Sequence, residues 1–84
     1  MQRRKRITDL DIAIGRRLRE IRCAKRITQT EVAAGSGITF QQIQKYEKGA
    51  NRITVSRLVR VCAAMDVNPS LFVADVVAQA EGGA

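Results

Sequence analysis

A chain of 84 residues that is 45% hydrophobic has room for one small domain with a modest core, and its 4% aromatic content and single proline favour packed helices over a sheet. The net charge of +7 is unevenly placed: residues 1–10 carry four bases and one acid, residues 11–52 nine and four, and residues 53–84 two and three. Eleven of the fifteen bases are arginine, which suits bidentate contacts to phosphate and guanine, so the first two-thirds is expected to face a polyanion and to bind it with a steep salt dependence.

Residues 1–8 form a basic arm containing Arg3, Arg4, Lys5 and Arg6, with nothing apolar among those four to anchor them, and the arm is expected to be disordered in the free protein. It could follow DNA into an adjacent minor groove, where negative potential attracts arginine, or be a solvated tail; the sequence leaves both open. Thr8 or Asp9 can cap a first helix over about 9–25, whose Ile14, Leu18 and Ile21 make one buried stripe with Arg16, Arg17, Arg19 and Lys25 mostly off it. Two short helices follow, about 29–36 and 40–48, each with a capping-box signature: Thr28 stands three residues before Glu31, and Thr39 three before Gln42. Between them Gly35, Ser36 and Gly37 interrupt the apolar pattern, and a glycine past a helix end supplies the left-handed backbone of a sharp turn. Thr54 can cap a fourth helix over about 55–65, with Leu58, Val61, Cys62 and Met65 closing the core. Asn68 can cap a fifth over about 69–79, with Pro69 at its first position, and Glu81 to Ala84 are expected to fray.

The stretch Thr28–Lys48 resembles the helix-turn-helix of the lambda-repressor-like, Cro-type (XRE) regulators of bacteria and phage. The resemblance is carried by Gln29 opening one helix, Val32 and Ala33 packing inward, Gly37 and Ile38 at the turn, Ile43 and Tyr46 inward on the next helix, and Glu47, Lys48 and Gly49 closing it. It extends from about Ile14 to Phe72 and implies a compact, all-α, five-helix domain over 9–80. It further implies an ion pair between Arg22 and Glu47, orienting more than stabilising because desolvation offsets the attraction. The chain departs from the pattern twice. Arg26 stands where the family commonly has a helix-ending glycine, implying backbone strain or a different exit, and Gly35 weakens the last turn of the second helix, which is expected to end early.

With Ile43 taken as the inward direction and about 100° per residue, Gln41, Gln44, Lys45 and Lys48 fall outward on the recognition helix and Phe40 at the boundary. Glutamine can pair with adenine through two hydrogen bonds and lysine favours guanine, so Gln41 and Lys45 lead the expected base readers, followed by Gln42 and Gln44, with Phe40 meeting a thymine methyl. Thr28 and Gln29 open a helix whose amides and dipole favour an anion, and the family places a phosphate there; Thr39 opens the next. Lys48, Asn51 and Arg52 are expected to grip backbone beyond the recognition helix, positioning without specifying.

Phe72, Val73, Val76 and Val77, with Leu71, give the last helix more apolar surface than one face can bury, and a homodimer contact is preferred over a merely apolar terminal helix because two-fold regulators read half-sites roughly 34 Å apart. Cys23 and Cys62 are too few and too far apart for a metal cluster and no histidine is present, so no metal or other cofactor is expected and both thiols should be buried and reduced. Without an apolar run of signal-peptide or membrane-span length, the chain is expected in the cytoplasm at the nucleoid, with no membrane partner and no small-molecule ligand. The preferred function is a sequence-specific double-stranded DNA-binding transcription regulator, acting as a homodimer on a near-palindromic operator. The rival is an antitoxin-like module that binds a protein partner, with DNA secondary. An enzyme is the weakest reading, with no paired carboxylates, phosphate-cradling glycine loop or activated nucleophile in view.

Overall fold

The computed structural model describes residues 6–82. Among them lie five helices and no strand: α1 (Asp9–Ala24), α2 (Gln29–Ser36), α3 (Phe40–Glu47), α4 (Val55–Ala64) and α5 (Pro69–Gly82). Each start is set by a short polar side chain. The hydroxyls of Thr8, Thr28, Thr39 and Thr54 accept the third amide of α1 to α4, and the Asn68 side chain accepts from Ser70 and Leu71 at the head of α5. Thr8 and Thr28 complete the reciprocal capping box with Asp11 and Glu31. At Thr39 only half of the expected box forms, because the Gln42 side chain turns away to the Tyr46 hydroxyl.

Helices α1, α3 and α4 exit alike, the amide two residues past the cap reaching back to the third-last carbonyl: Ile27 to Arg22 at 3.0 Å, Ala50 to Lys45 at 2.9 Å and Val67 to Cys62 at 2.8 Å. That turn requires a left-handed residue. Gly49 supplies it after α3, whereas Arg26 and Asp66 adopt it after α1 and α4 with φ of 59° and 58°. Of the two outcomes open at Arg26, backbone strain or a different exit, the exit is the common one and the strained left-handed backbone is found, and Asp66 repeats it. Gly37, at φ 72°, makes the sharp turn between α2 and α3.

The core gathers Leu18 of α1, Val32 of α2, Ile38 of the turn, Ile43 and Tyr46 of α3, Leu58, Val61 and Cys62 of α4, Met65, and Phe72 and Val76 of α5. Ile14 and Ile21 pack against its edge, so the stripe of α1 is one buried leucine between two half-buried isoleucines. Helix α1 approaches α3 so closely at Gly15 that a β-carbon there would lie 2.0 Å from the Tyr46 carbonyl oxygen.

Several expectations are corrected. Helix α2 does not stop early: it runs through Ser36, and the bare Cα of Gly35 lets the Ala64 side chain of α4 come within 3.1 Å of where a β-carbon would stand. Phe72 and Val76 are 1% and 2% exposed and belong to the core, so they cannot form a dimer contact; Val73 and Val77 remain on the surface with Leu71. Cys62 is buried, and burial pushes its thiol pKa up, but Cys23 is exposed because it lies off the inward stripe of α1. Glu81 and Gly82, expected to fray, continue α5, and residues 83 and 84 lie outside the described residues, as do Arg3, Arg4 and Lys5 of the arm.

Candidate nucleic-acid interface

Helices α2 and α3 and the turn between them form one rigid unit. Ser36, 5% exposed, donates its hydroxyl to the Ala33 carbonyl and accepts from the Ile38 amide at 3.2 Å, and the Ser36 carbonyl accepts from Arg60 Nε at 3.0 Å. An arginine of α4 thus satisfies a carbonyl at the end of α2 that the helix itself leaves unpaired. Behind α3, Ile43 and Tyr46 are buried, which fixes the helix's rotation.

Gln41, Lys45 and Lys48 then face solvent, with Gln44 half-buried and Phe40 at 38% exposure on the boundary. Arg22 donates Nε to Glu47 Oε2 at 2.6 Å and Nη2 to Oε1 at 3.0 Å, a bidentate pair. Its remaining Nη1 donates to the Ile27 carbonyl, and Gln29 Nε2 donates to Glu47 Oε1 at 3.0 Å. The hydrogen bond to Glu47 holds the Arg22 guanidinium above its ordinary pKa against the opposing effect of burial. The ion pair implied by the resemblance is therefore present, and Gln29 joins it, so that α1, α2 and α3 meet on one carboxylate.

Around this junction the expected contacts come together. Gln29, Gln44 and Lys48 line one cleft of about 520 Å³ with Arg19, Arg22 and Glu47. Thr28, Gln29 and Phe40 line a neighbouring one of about 530 Å³ with Arg26 and Cys23. Both are open surfaces rich in cations, with α2's first residues in both.

Other expected contacts are engaged within the protein. Gln42 donates to the Tyr46 hydroxyl at 3.2 Å and accepts from Asn51 Nδ2 at 3.3 Å, so Gln42 and Asn51 are half-buried partners of one another. Arg52 donates Nε to Asp11 at 3.1 Å and stays 46% exposed. Partial burial pushes the Asp11 carboxyl up, but hydrogen bonds from Thr8 and Arg52 and the charge of Arg52 outweigh it and leave the pKa below its ordinary value. Arg6 is exposed, and Ile7 lies in a shallow depression with Ala50, Asn51 and Arg52, which brings the root of the arm beside the loop that follows α3.

Two residues of this region escaped the sequence reading. Arg57 Nη1 donates to the Tyr46 hydroxyl at 2.7 Å, and Arg60 supports the turn. The signal was there: they are the only two bases after residue 52, three apart on a helix with no acid.

The geometry is that of a helix-turn-helix, and comparison with known proteins agrees. A helix-turn-helix family profile matches residues 18–72. An uncharacterized HTH-type transcriptional regulator of Sinorhizobium fredii is 40% identical over 75 residues, which make up 89% of this chain and 52% of that protein. The chain spans about half the length of the curated relatives it first matches. The crystal structure of the restriction-modification controller protein C.AhdI of Aeromonas hydrophila aligns with a TM-score of 0.71 at 30% identity, covering 76% of this chain and 96% of that one. The controller protein C.Esp1396I, solved as a tetramer in complex with its natural 35-base-pair operator, shares the fold at 20% identity, with a TM-score of 0.78 over 83% of this chain and 92% of that one. The chain belongs to the XRE-type helix-turn-helix family of DNA-binding transcription regulators.

Proposed function

We propose that this chain binds double-stranded DNA sequence-specifically, with α3 in the major groove, and acts as a homodimer on a near-palindromic operator in a bacterial cytoplasm. The observation that carries the reading is the outward face of α3: Gln41 and Lys45 are exposed, while the buried Ile43 and Tyr46 hold them in register. Gln41 and Lys45 read bases, Gln44 and Phe40 flank them, and Gln42 contributes from the inner edge. Thr28, Gln29, Thr39, Lys48 and Arg52 contact phosphate, and Asn51 acts through Gln42. C.AhdI and C.Esp1396I, both controller proteins, support the same use of the fold.

The self-contact lies on the edge between α4 and α5. There Val55, Val59 and Val73 line one surface with Leu58 and Pro69 and are 77%, 43% and 45% exposed, and residues 53–84 carry no net positive charge that would repel a second copy. Exposed aliphatics grouped on one edge mark an association surface. The same edge would also serve a different protein, the antitoxin-like reading.

Selection of duplexes from a random library, with footprinting of the product, tests both parts. The expected outcome is enrichment of a two-fold sequence whose half-sites are one helical turn apart. Enrichment of no duplex over non-specific binding would remove the specific-regulator reading. A single half-site, with monomers in sedimentation at tens of micromolar, would remove the dimer.

A further inference from the structure

The Tyr46 hydroxyl sits at the back of the recognition helix on a side chain that is 3% exposed, and it receives two donors: Arg57 Nη1 from α4 at 2.7 Å and Gln42 Nε2 from α3 at 3.2 Å. Gln42 is held at its other end as well, because Asn51 Nδ2 donates to Oε1 at 3.3 Å. We infer that Arg57, acting through the Tyr46 hydroxyl, is a positioning residue that fixes the Gln42 amide for reading a base. This rests on the DNA-reading function proposed above.

A primary amide has two N–H donors and an oxygen with two lone pairs. Tyr46 takes one donor and Asn51 one lone pair, which leaves one donor and one lone pair, the complement that an adenine edge requires. A free glutamine loses its rotamer freedom when it binds, which opposes binding. Gln42 is ordered before DNA arrives, whereas Gln41 on the outer face has no described internal partner. The geometry of a base-reading amide is therefore set from α4, and Arg57 need not touch DNA to affect which sequence is chosen.

The test compares the whole chain with Tyr46→Phe and Arg57→Gln on two duplexes: one recovered from a random library by the unsubstituted protein, and a scrambled duplex of equal length and composition. Tyr46→Phe removes one oxygen and no charge. It is expected to lower the thermal melt slightly, since Arg57 and Gln42 lose a shared acceptor, to leave the scrambled-duplex affinity and the salt slope unchanged, and to weaken binding to the selected duplex about five- to tenfold. Repeating the selection with Tyr46→Phe should relax one symmetric pair of positions, the pair relaxed by Gln42→Ala. Because the two residues act as one unit, Gln42→Ala combined with Tyr46→Phe should be no worse than Gln42→Ala alone. Arg57→Gln should lower the ratio of selected to scrambled affinity by a similar factor, even if loss of its charge weakens both.

An unchanged ratio in both variants would overturn the inference. So would an equal loss on both duplexes accompanied by a lower melt, which would mean that the cluster only braces the fold. If the unsubstituted protein enriched no duplex, the DNA-reading function itself would fall and this role with it; enrichment by that protein with an unaltered Tyr46→Phe ratio would overturn the positioning role alone.

Discussion

Glu47 is 5% exposed in its side chain and accepts from two other helices, Arg22 of α1 and Gln29 of α2. Arg22→Ala would leave that carboxylate buried with the Gln29 amide as its only remaining described partner and free the Ile27 carbonyl. Breaking a buried pair from one side is far more damaging than replacing both members, and a loss of about 3 kcal/mol is expected. DNA binding should fall as well, because Gln29 and α3 lose their common anchor. Chemical denaturation and duplex titration check this together; weaker binding with an unaltered denaturation midpoint would mean that Arg22 contacts DNA without tying the helices. The pair itself was implied by the family resemblance. Gln29 was placed on phosphate by the same resemblance, and its bond to Glu47 depends on how α2 leans against α3, which no local pattern encodes. The Gln42 cluster was hidden for the same reason: Tyr46 and Gln42 are one helical turn apart and readable as neighbours, but Arg57 and Asn51 reach them from other elements.

Helix starts were legible because each rests on a side chain next to it in sequence, and all five begin where the caps placed them. Their directions were legible where apolar and polar residues alternate with helical period. Helix α5 lacks that contrast: Leu71, Phe72, Val73, Val76 and Val77 are all apolar, and only packing on α1 and α4 selects Phe72 and Val76, four residues apart, as the inward pair. Gly15 was illegible in another way, since within a helix it looks merely unfavourable. Its function is the close approach of α1 to the end of α3. Gly15→Ala would raise intrinsic helix propensity by about 1 kcal/mol, yet the added methyl meets the Tyr46 carbonyl, a backbone atom that cannot swing aside. Overpacking is expected to win, with a net destabilisation of about 2 kcal/mol or more and weaker duplex binding as α3 shifts. A stabilised variant in thermal melts would show that α1 and α3 are less tightly apposed.

Over the whole molecule, the bases lie almost entirely in residues 1–52, which hold thirteen of the fifteen, and α5 packs on α1 and α4 while the outward face of α3 stays open. The arm belongs to this charge distribution. Arg3, Arg4 and Lys5 precede Arg6 and Ile7, and Ile7 lies beside Ala50 and Arg52 just past the recognition helix, so the four bases begin at the edge of the proposed DNA surface. Removing residues 2–6 keeps Thr8 and its reciprocal bonds to Asp11, so the start of α1 and the melting temperature should be unchanged. Each phosphate neutralised contributes about 0.9 to the slope of log affinity against log salt concentration, and four cations together about 3.6. The truncated chain is expected to bind more weakly at low salt, with a slope flatter by at least about 2, while the sequence recovered by selection stays the same because α3 still reads it. Titrations between about 50 and 200 mM salt resolve a change of that size. An unchanged slope would make residues 2–6 a solvated tail, and a changed consensus would mean that the arm reads a groove of its own.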